Sequence, residues 1–234
     1  MKTVLVTGGS RGIGAATARE FAKNGYTVIV NYNNSEGEAI ELQRELREAG
    51  ADVHLFCADV TNRIQVDEMF AHVKRYFKHL DVLVNNAGVS LTKLCQDVTT
   101  DEYDIVMNIN AKGAFLASQC AIEMFLSQGY GAIVNVSSIW GTQGASCESV
   151  YAMSKHAIVG LTKSLSEELS PSNVTVNCVC PPIVSTQMCE HLSQKNVADF
   201  CLQHNVRLYS PEMVAKDIFQ LATCGETGII LNER

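Results

Sequence analysis

The chain has 234 residues, 47% of them hydrophobic and 18% charged, which is enough for one sizeable buried core. A net charge of −7 without a basic tract argues against nucleic acid or an anionic membrane as partner, because both demand clustered positive surface. No stretch approaches the roughly 20 apolar residues of a membrane span, and MKTVLVTGG lacks the build of a signal peptide, so a cytoplasmic protein is expected.

Short β-branched runs alternate with longer amphipathic ones from the first residues onward. A strand is predicted at 3–6 and a helix at 12–24, then a strand at 27–31 and a helix at 36–49. A strand at 52–57 precedes a helix at 63–77, and a strand at 82–84 precedes a long helix at 100–126. A strand at 132–136, a helix at 150–169 and strands at 174–179 and 228–231 complete the series. Near-continuous apolar strands separated by helices imply a parallel sheet covered on both faces. The expected fold is therefore a doubly wound α/β (Rossmann) domain of seven strands spanning residues 1–234. The segment 184–211 interrupts the pattern, being mixed, polar at its tips and cysteine-rich. A lid over a site and an irregular surface excursion both fit it. The nine cysteines are odd in number and lack a C-x-x-C pair, which suits a reduced compartment, and the six histidines have no ligand spacing, so no metal is expected.

The first strand runs into TGGSRGIG, and the first helix opens there. Gly8 permits a tight turn, Gly12 lets backbone approach a pyrophosphate, and Gly14 allows close packing, while the free N–H groups and positive dipole end of the helix face the phosphates. Farther on, Tyr151 and Lys155 lie four residues apart in a helical run, VYAMSKHAIVGL. Positions i and i+4 share a helix face, so the ammonium can stand beside the phenol and stabilise its phenolate. A free phenol titrates at about 10. A nearby cation in a dry pocket lowers that value and makes Tyr151 a proton donor and acceptor near neutral pH. Ser138, in IVNVSSIWG, is placed to hold a substrate oxygen. Taken alone, the Tyr–Lys pair also fits a surface tyrosine followed by chance by a lysine; the conjunction with Ser138 and the glycine turn gives it weight.

The spacing Thr7-Gly8-x-x-x-Gly12-x-Gly14 resembles the fingerprint of the short-chain dehydrogenase/reductase family, and within it the bacterial 3-oxoacyl-carrier-protein reductases. The resemblance covers nearly the whole chain. It implies a catalytic tetrad of Asn110, Ser138, Tyr151 and Lys155. It also implies nicotinamide cofactor contacts from Gly8, Ser10, Arg11, Gly12, Ile13 and Gly14 in the turn, Asn31 at the end of the second strand, and Asp59 and Val60 at an adenine pocket. Asn86, Ala87 and Gly88 after the fourth strand, Tyr151 and Lys155, and Pro181, Ile183 and Thr186 after the sixth complete that set. The implied reaction is reversible hydride transfer between a nicotinamide and a carbonyl or secondary alcohol. NAD enzymes usually end the second strand with an acid, whereas here the strand ends Val30-Asn31-Tyr32 and Arg11 offers a guanidinium to a 2′-phosphate. NADP(H) is therefore favoured over NAD(H).

Three features depart from the family. Ser127-Gln128-Gly129-Tyr130 and Ser170-Pro171-Ser172-Asn173 carry no positive charge where carrier-protein reductases commonly have basic residues. Pro182 stands where glycine is usual, fixing φ and removing an N–H beside the expected nicotinamide. The run 221–228 is compressed and the usual glycine-rich tail is missing, so a homodimer through the helices at 100–126 and 150–169 is expected, with a tetramer left open. The favoured reading is a carbonyl reductase of a small-molecule substrate. The alternatives are a dehydrogenase of a steroid, polyol or other secondary alcohol, with Leu91, Leu94, Trp140, Met188, Leu192 and Phe200 as candidate pocket residues, and a non-catalytic NADP(H) sensor.

Overall fold

A computed structural model describes residues 1–187 and 194–232. Seven strands form one sheet: β1 (Thr3–Val6), β2 (Thr27–Tyr32), β3 (Val53–Cys57), β4 (Val82–Asn85), β5 (Gly131–Val136), β6 (Val174–Cys180) and β7 (Ile230–Asn232). Their order is β3-β2-β1-β4-β5-β6-β7 and every pairing is parallel. Because side chains alternate along a strand, the continuous apolar runs must feed two cores. Val4 and Val6 of β1, Val28 and Val30 of β2, and Val134 and Val136 of β5 pack with α1 (Gly12–Lys23), α2 (Glu36–Glu48) and α8 (Pro211–Thr223). Leu5, Ile29 and Ile133, the intervening residues, pack with α3 (Arg63–Tyr76) and α5 (Gly113–Gln128) on the other face. The seven expected strands and the doubly wound architecture are all present.

Two parts of the helical reading change. The predicted helix at 100–126 is three pieces: α4 (Thr100–Met107), a π-helical turn at Asn108–Lys112, and α5. Apolar periodicity runs through the break, so it left no mark in the pattern, and π-turns of this kind concentrate at functional sites. The second change concerns the chain from 184 to 223. Val184 pairs with Tyr209 in an isolated bridge, α7 (Gln194–His204) lies between, and α8 starts at Pro211 with Ser210 capping Met213 N at 3.3 Å. The Ser210-Pro211-Glu212 start of α8 is a legible helix signal, although no helix is among the expected elements there. The long α6 (Ser149–Glu168) packs beside the sheet between β5 and β6.

The order reverses between β1 and β4, so their carboxyl ends open a crevice, the usual position of a ligand site in this architecture. Among the described residues no helix is long and apolar enough to cross a membrane, and no group of His, Cys, Asp or Glu is arranged to hold a metal ion.

Candidate active site

At the crevice the turn after β1 is built around two positive-φ glycines, Gly8 at +59° and Gly12 at +54°. A side chain at Gly8 would place its Cβ 2.9 Å from Ala87 Cα, so this turn and the segment after β4 are in backbone contact. Polar groups lock the two together. Thr7 Oγ1 accepts from Asn86 N and Ala87 N at 3.0 and 3.2 Å, and Asn86 Nδ2 donates to Thr7 O and Gly8 O at 3.0 and 2.9 Å. Gly14 contributes by packing: a Cβ there would meet Asn86 Nδ2 at 2.6 Å. The first turn of α1 carries neither an acidic residue nor a side-chain cap, which leaves its N-terminal N–H groups and positive dipole end for an anion.

The crevice opens into a cleft of about 900 Å³. Gly8, Ser10, Arg11, Gly12, Ile13, Asn31, Asp59, Val60, Asn86, Ala87, Gly88, Tyr151, Lys155 and Thr186 all line it. Gly14, Pro181 and Ile183 do not; they stand behind the wall, with Pro181 O accepting from Ile139 N and Ile183 O from Tyr209 N. The size, the glycine-edged floor and the uncapped helix N-terminus fit a dinucleotide.

Of the expected tetrad, Tyr151 and Lys155 line the cleft, whereas Asn110 and Ser138 are buried and are not among its lining residues. Lys155, on α6, is buried, with its Nζ 5.7 Å from the Tyr151 ring centroid and donating to Val136 O at 3.0 Å. Burial pulls the ammonium down to about 8, since the low-dielectric surroundings disfavour its charge. Asn110 sits in the π-turn, where its side chain bridges two elements. Its Oδ1 accepts from Val89 N at 2.8 Å, and its Nδ2 donates to Val89 O and Ser154 Oγ, both at 2.9 Å. A Cβ added at Gly88 would lie 3.3 Å from Asn110 Oδ1 and 3.5 Å from Lys155 Nζ, so these three residues share one small space. Ser138 lies just beyond β5 in extended conformation, and its Oγ accepts from Trp140 N at 3.2 Å.

Several contributing residues escaped sequence reasoning. Ser154 connects Asn110 to Tyr151 O, to which its Oγ donates at 2.7 Å, and Ser137 Oγ donates to Lys155 O at 2.9 Å. Serines are common, and these links span elements far apart in the chain; only the Ser137-Ser138 doublet gave any signal. Asn31 lines the cleft as expected, yet its amide is committed to backbone, donating to Ala58 O at 2.9 Å and accepting from Gly8 N at 3.3 Å. The cleft wall beyond β2 is instead Asn33, Asn34 and Ser35, with exposed Arg11 opposite in the turn.

Of the candidate pocket residues, Trp140 and Phe200 pack edge to face with centroids 5.7 Å apart, and His204 of α7 joins them at 5.0 Å from Trp140. This cluster includes Ala152 and Tyr151, so α7 rests on the same platform that carries the tetrad. Leu94 is 49% exposed, and Met188 and Leu192 lie outside the described residues.

The short chain dehydrogenase family profile matches residues 2–197. A 3-oxoacyl-acyl-carrier-protein reductase of Staphylococcus aureus is 39% identical over 194 residues, 83% of this chain and 79% of the relative. The corresponding reductase of Thermotoga maritima is 35% identical over 223 residues, 95% and 90% of the two chains. Among solved structures, a candidate gluconate dehydrogenase from Agrobacterium tumefaciens superposes with a TM-score of 0.93 at 26% identity, covering 99% of this chain and 93% of that one. Fold, crevice and sequence agree: the chain belongs to the short-chain dehydrogenase/reductase family and is an oxidoreductase acting on CH–OH and C=O groups.

Proposed function

We propose that this protein is an NADP(H)-dependent carbonyl reductase of 3-oxoacyl type, with Tyr151 as its acid and base. The observation that carries the reading is the Tyr151–Lys155 pair at the end of a dinucleotide-sized cleft, with Lys155 buried beside Gly88 and Asn110. The reduced nicotinamide supplies the hydride. Ser138 Oγ and the Tyr151 phenol hydrogen-bond the carbonyl oxygen and so favour the charge that develops on it. Tyr151 then gives its proton to that oxygen. Lys155, positively charged in its dry position, stabilises the phenolate left when Tyr151 gives up its proton and would bind the ribose hydroxyls of the cofactor, and Asn110 fixes the backbone around it through Val89 and Ser154. In the oxidative direction the same groups remove the alcohol proton.

Arg11 in the turn and the uncharged wall Asn33-Asn34-Ser35 beyond β2, where a carboxylate would repel a 2′-phosphate, support NADP(H). A small 3-oxoacyl thioester in the cytoplasm is the substrate favoured by the reductases that the chain resembles over most of its length. A second reading, dehydrogenation of a polyol or sugar acid, draws on the gluconate dehydrogenase likeness and on the polar cleft residues Ser90, Asp101 and Asp104. A non-catalytic sensor is disfavoured because tyrosine and lysine are both kept at the cleft.

Steady-state rates with acetoacetyl thioester and NADPH, set against gluconate with NADP⁺, separate the two enzyme readings. The reductase reading expects the first to be much the faster, and with NADPH more efficient than NADH. Turnover confined to the sugar acid, or a clear NADH preference, overturns it.

A further inference from the structure

Two buried hydroxyls on α6, those of Ser154 and Thr162, make the same pair of hydrogen bonds. Each accepts from an asparagine amide on a neighbouring element and donates to a carbonyl of its own helix. Thr162 Oγ1 accepts from Asn135 Nδ2 of β5 at 2.9 Å and donates to Ile158 O at 2.8 Å. Ser154 Oγ accepts from Asn110 Nδ2 of the π-turn at 2.9 Å and donates to Tyr151 O at 2.7 Å. The chemistry is alike, but the surroundings differ. Positions 151, 154 and 155 are neighbours on the helix surface, so the Ser154 bonds act on the end of α6 that carries Tyr151 and Lys155, whereas Thr162 lies about two turns farther on. We infer that Ser154 is a positioning residue for the Tyr151–Lys155 pair, holding the π-turn of Asn110 against the backbone that carries the two groups.

The bonds form one chain across three segments. Asn110 Oδ1 takes the Val89 N–H, while its Nδ2 gives hydrogens to Val89 O and to Ser154 Oγ, which fixes the orientation of the amide. The Ser154 hydrogen goes to Tyr151 O, so the chain runs from the segment after β4 through the π-turn to the first turn of α6. Lys155 Nζ and Asn110 Oδ1 border the same small space, lying 3.5 and 3.3 Å from the point that a Cβ at Gly88 would occupy. Without the hydroxyl, Asn110 keeps its bonds to Val89 and loses its hold on α6. The ammonium then stands at a less defined distance from the phenol, and its support of the phenolate weakens, because attraction between charges falls with separation and with entering water. A displacement of about 1 Å at reacting groups costs on the order of a hundredfold in rate.

The effect on rate rests on the reading of Tyr151 as the acid; the titration of its phenol does not, since it is followed without substrate or cofactor. The full-length protein and its Ser154→Ala, Ser154→Thr and Thr162→Val variants are titrated by the ultraviolet absorbance of phenolate, each with and without Tyr151→Phe so that the difference isolates this tyrosine. Melting temperatures and steady-state rates with acetoacetyl-CoA and NADPH are measured on the same preparations. Alanine favours helix, so Ser154→Ala preserves α6. In it the Tyr151 phenolate should form about half to one pH unit higher than in the wild type, with kcat lowered on the order of tenfold to a hundredfold and KM for NADPH within about twofold. Ser154→Thr, which retains the hydroxyl, should restore most of both. Thr162→Val removes the matching tie farther along α6 and should lower the melting temperature while moving neither the phenol nor kcat. The inference is overturned if Ser154→Ala titrates as the wild type does, or if Thr162→Val shifts the phenol as far. It is equally overturned if Ser154→Thr melts like the wild type yet loses as much as alanine. Turnover kept by Tyr151→Phe overturns the reductase reading instead, and the titration still decides the role of Ser154.

Discussion

Lys155 is the most costly side chain in the cleft, and its cost has a definite pH dependence. Burial lowers it from the ordinary 10.5 to about 8, so in the folded protein it binds its proton less tightly than in the unfolded chain. Stability is therefore reduced wherever the ammonium is charged, below about pH 8, and recovers as pH rises from 8 towards 10.5, by about 3 kcal/mol in all. Thiolate formation at Cys178 or Cys180 would work against this by holding the proton on. Replacing Lys155 with Met should abolish that upward slope, and urea denaturation of cofactor-free protein at pH 7.5 and 9.5, wild type against variant, checks it. A variant with the same slope as the wild type refutes the assignment. Arg11 carries a different burden. As the proposed donor to a 2′-phosphate it would contribute a charged hydrogen bond, so Arg11→Ala should lower catalytic efficiency with NADPH on the order of tenfold to a hundredfold and leave NADH nearly unchanged.

At the scale of elements, the sheet is joined beneath the cleft by asparagines as well as by its backbone ladder. Asn85 of β4 and Asn135 of β5 are in register. Asn85 Nδ2 donates to Asn135 Oδ1 at 2.8 Å and Asn135 Nδ2 to Thr162 Oγ1 of α6 at 2.9 Å. All three residues are buried. Asn135→Leu would remove both bonds, while Asn85 Nδ2 keeps Ser118 Oγ and Thr162 Oγ1 still donates to Ile158 O, and should cost about 1 kcal/mol, read as a lower urea midpoint at unchanged slope. A midpoint within error of the wild type would show that the polar tie is dispensable. Much of this element-level order was legible in the sequence. Strands such as TVLV and TVIVNY are buried on both faces and so read as unbroken apolar runs, and the glycine turn, NNAG and the Tyr–Lys spacing stood in the order in which the crevice assembles them. The π-turn was not legible, because Asn110 sits in a run whose apolar residues continue on either side. Nor were Ser154 and Ser137, whose value comes from partners that only the fold brings near. α7 depends on an aromatic contact between Trp140 and Phe200, sixty positions apart in the chain, that no local pattern encodes.

Across the whole molecule, two packed faces leave the strand ends at β1 and β4 as the place where a ligand can enter, and the long helices beside the cleft leave apolar side chains outside. Tyr103, Ile105, Phe115 and Met153 on α4, α5 and α6 are between 39% and 55% exposed. The expected homodimer would cover that surface, so Phe115→Asp should shift sedimentation from dimer towards monomer. A variant that sediments as the wild type does would move the interface elsewhere. The proposed reaction rests on Tyr151 as the group that moves the proton, which a single substitution isolates because the phenylalanine ring keeps the packing against Trp140 and Ala152. Rates of NADPH oxidation and NADPH affinity are to be measured side by side for wild type and Tyr151→Phe. A tyrosine acid predicts a loss of turnover of about 10²–10⁴-fold with cofactor affinity nearly unchanged. Turnover retained within a few-fold in a pure preparation would contradict it.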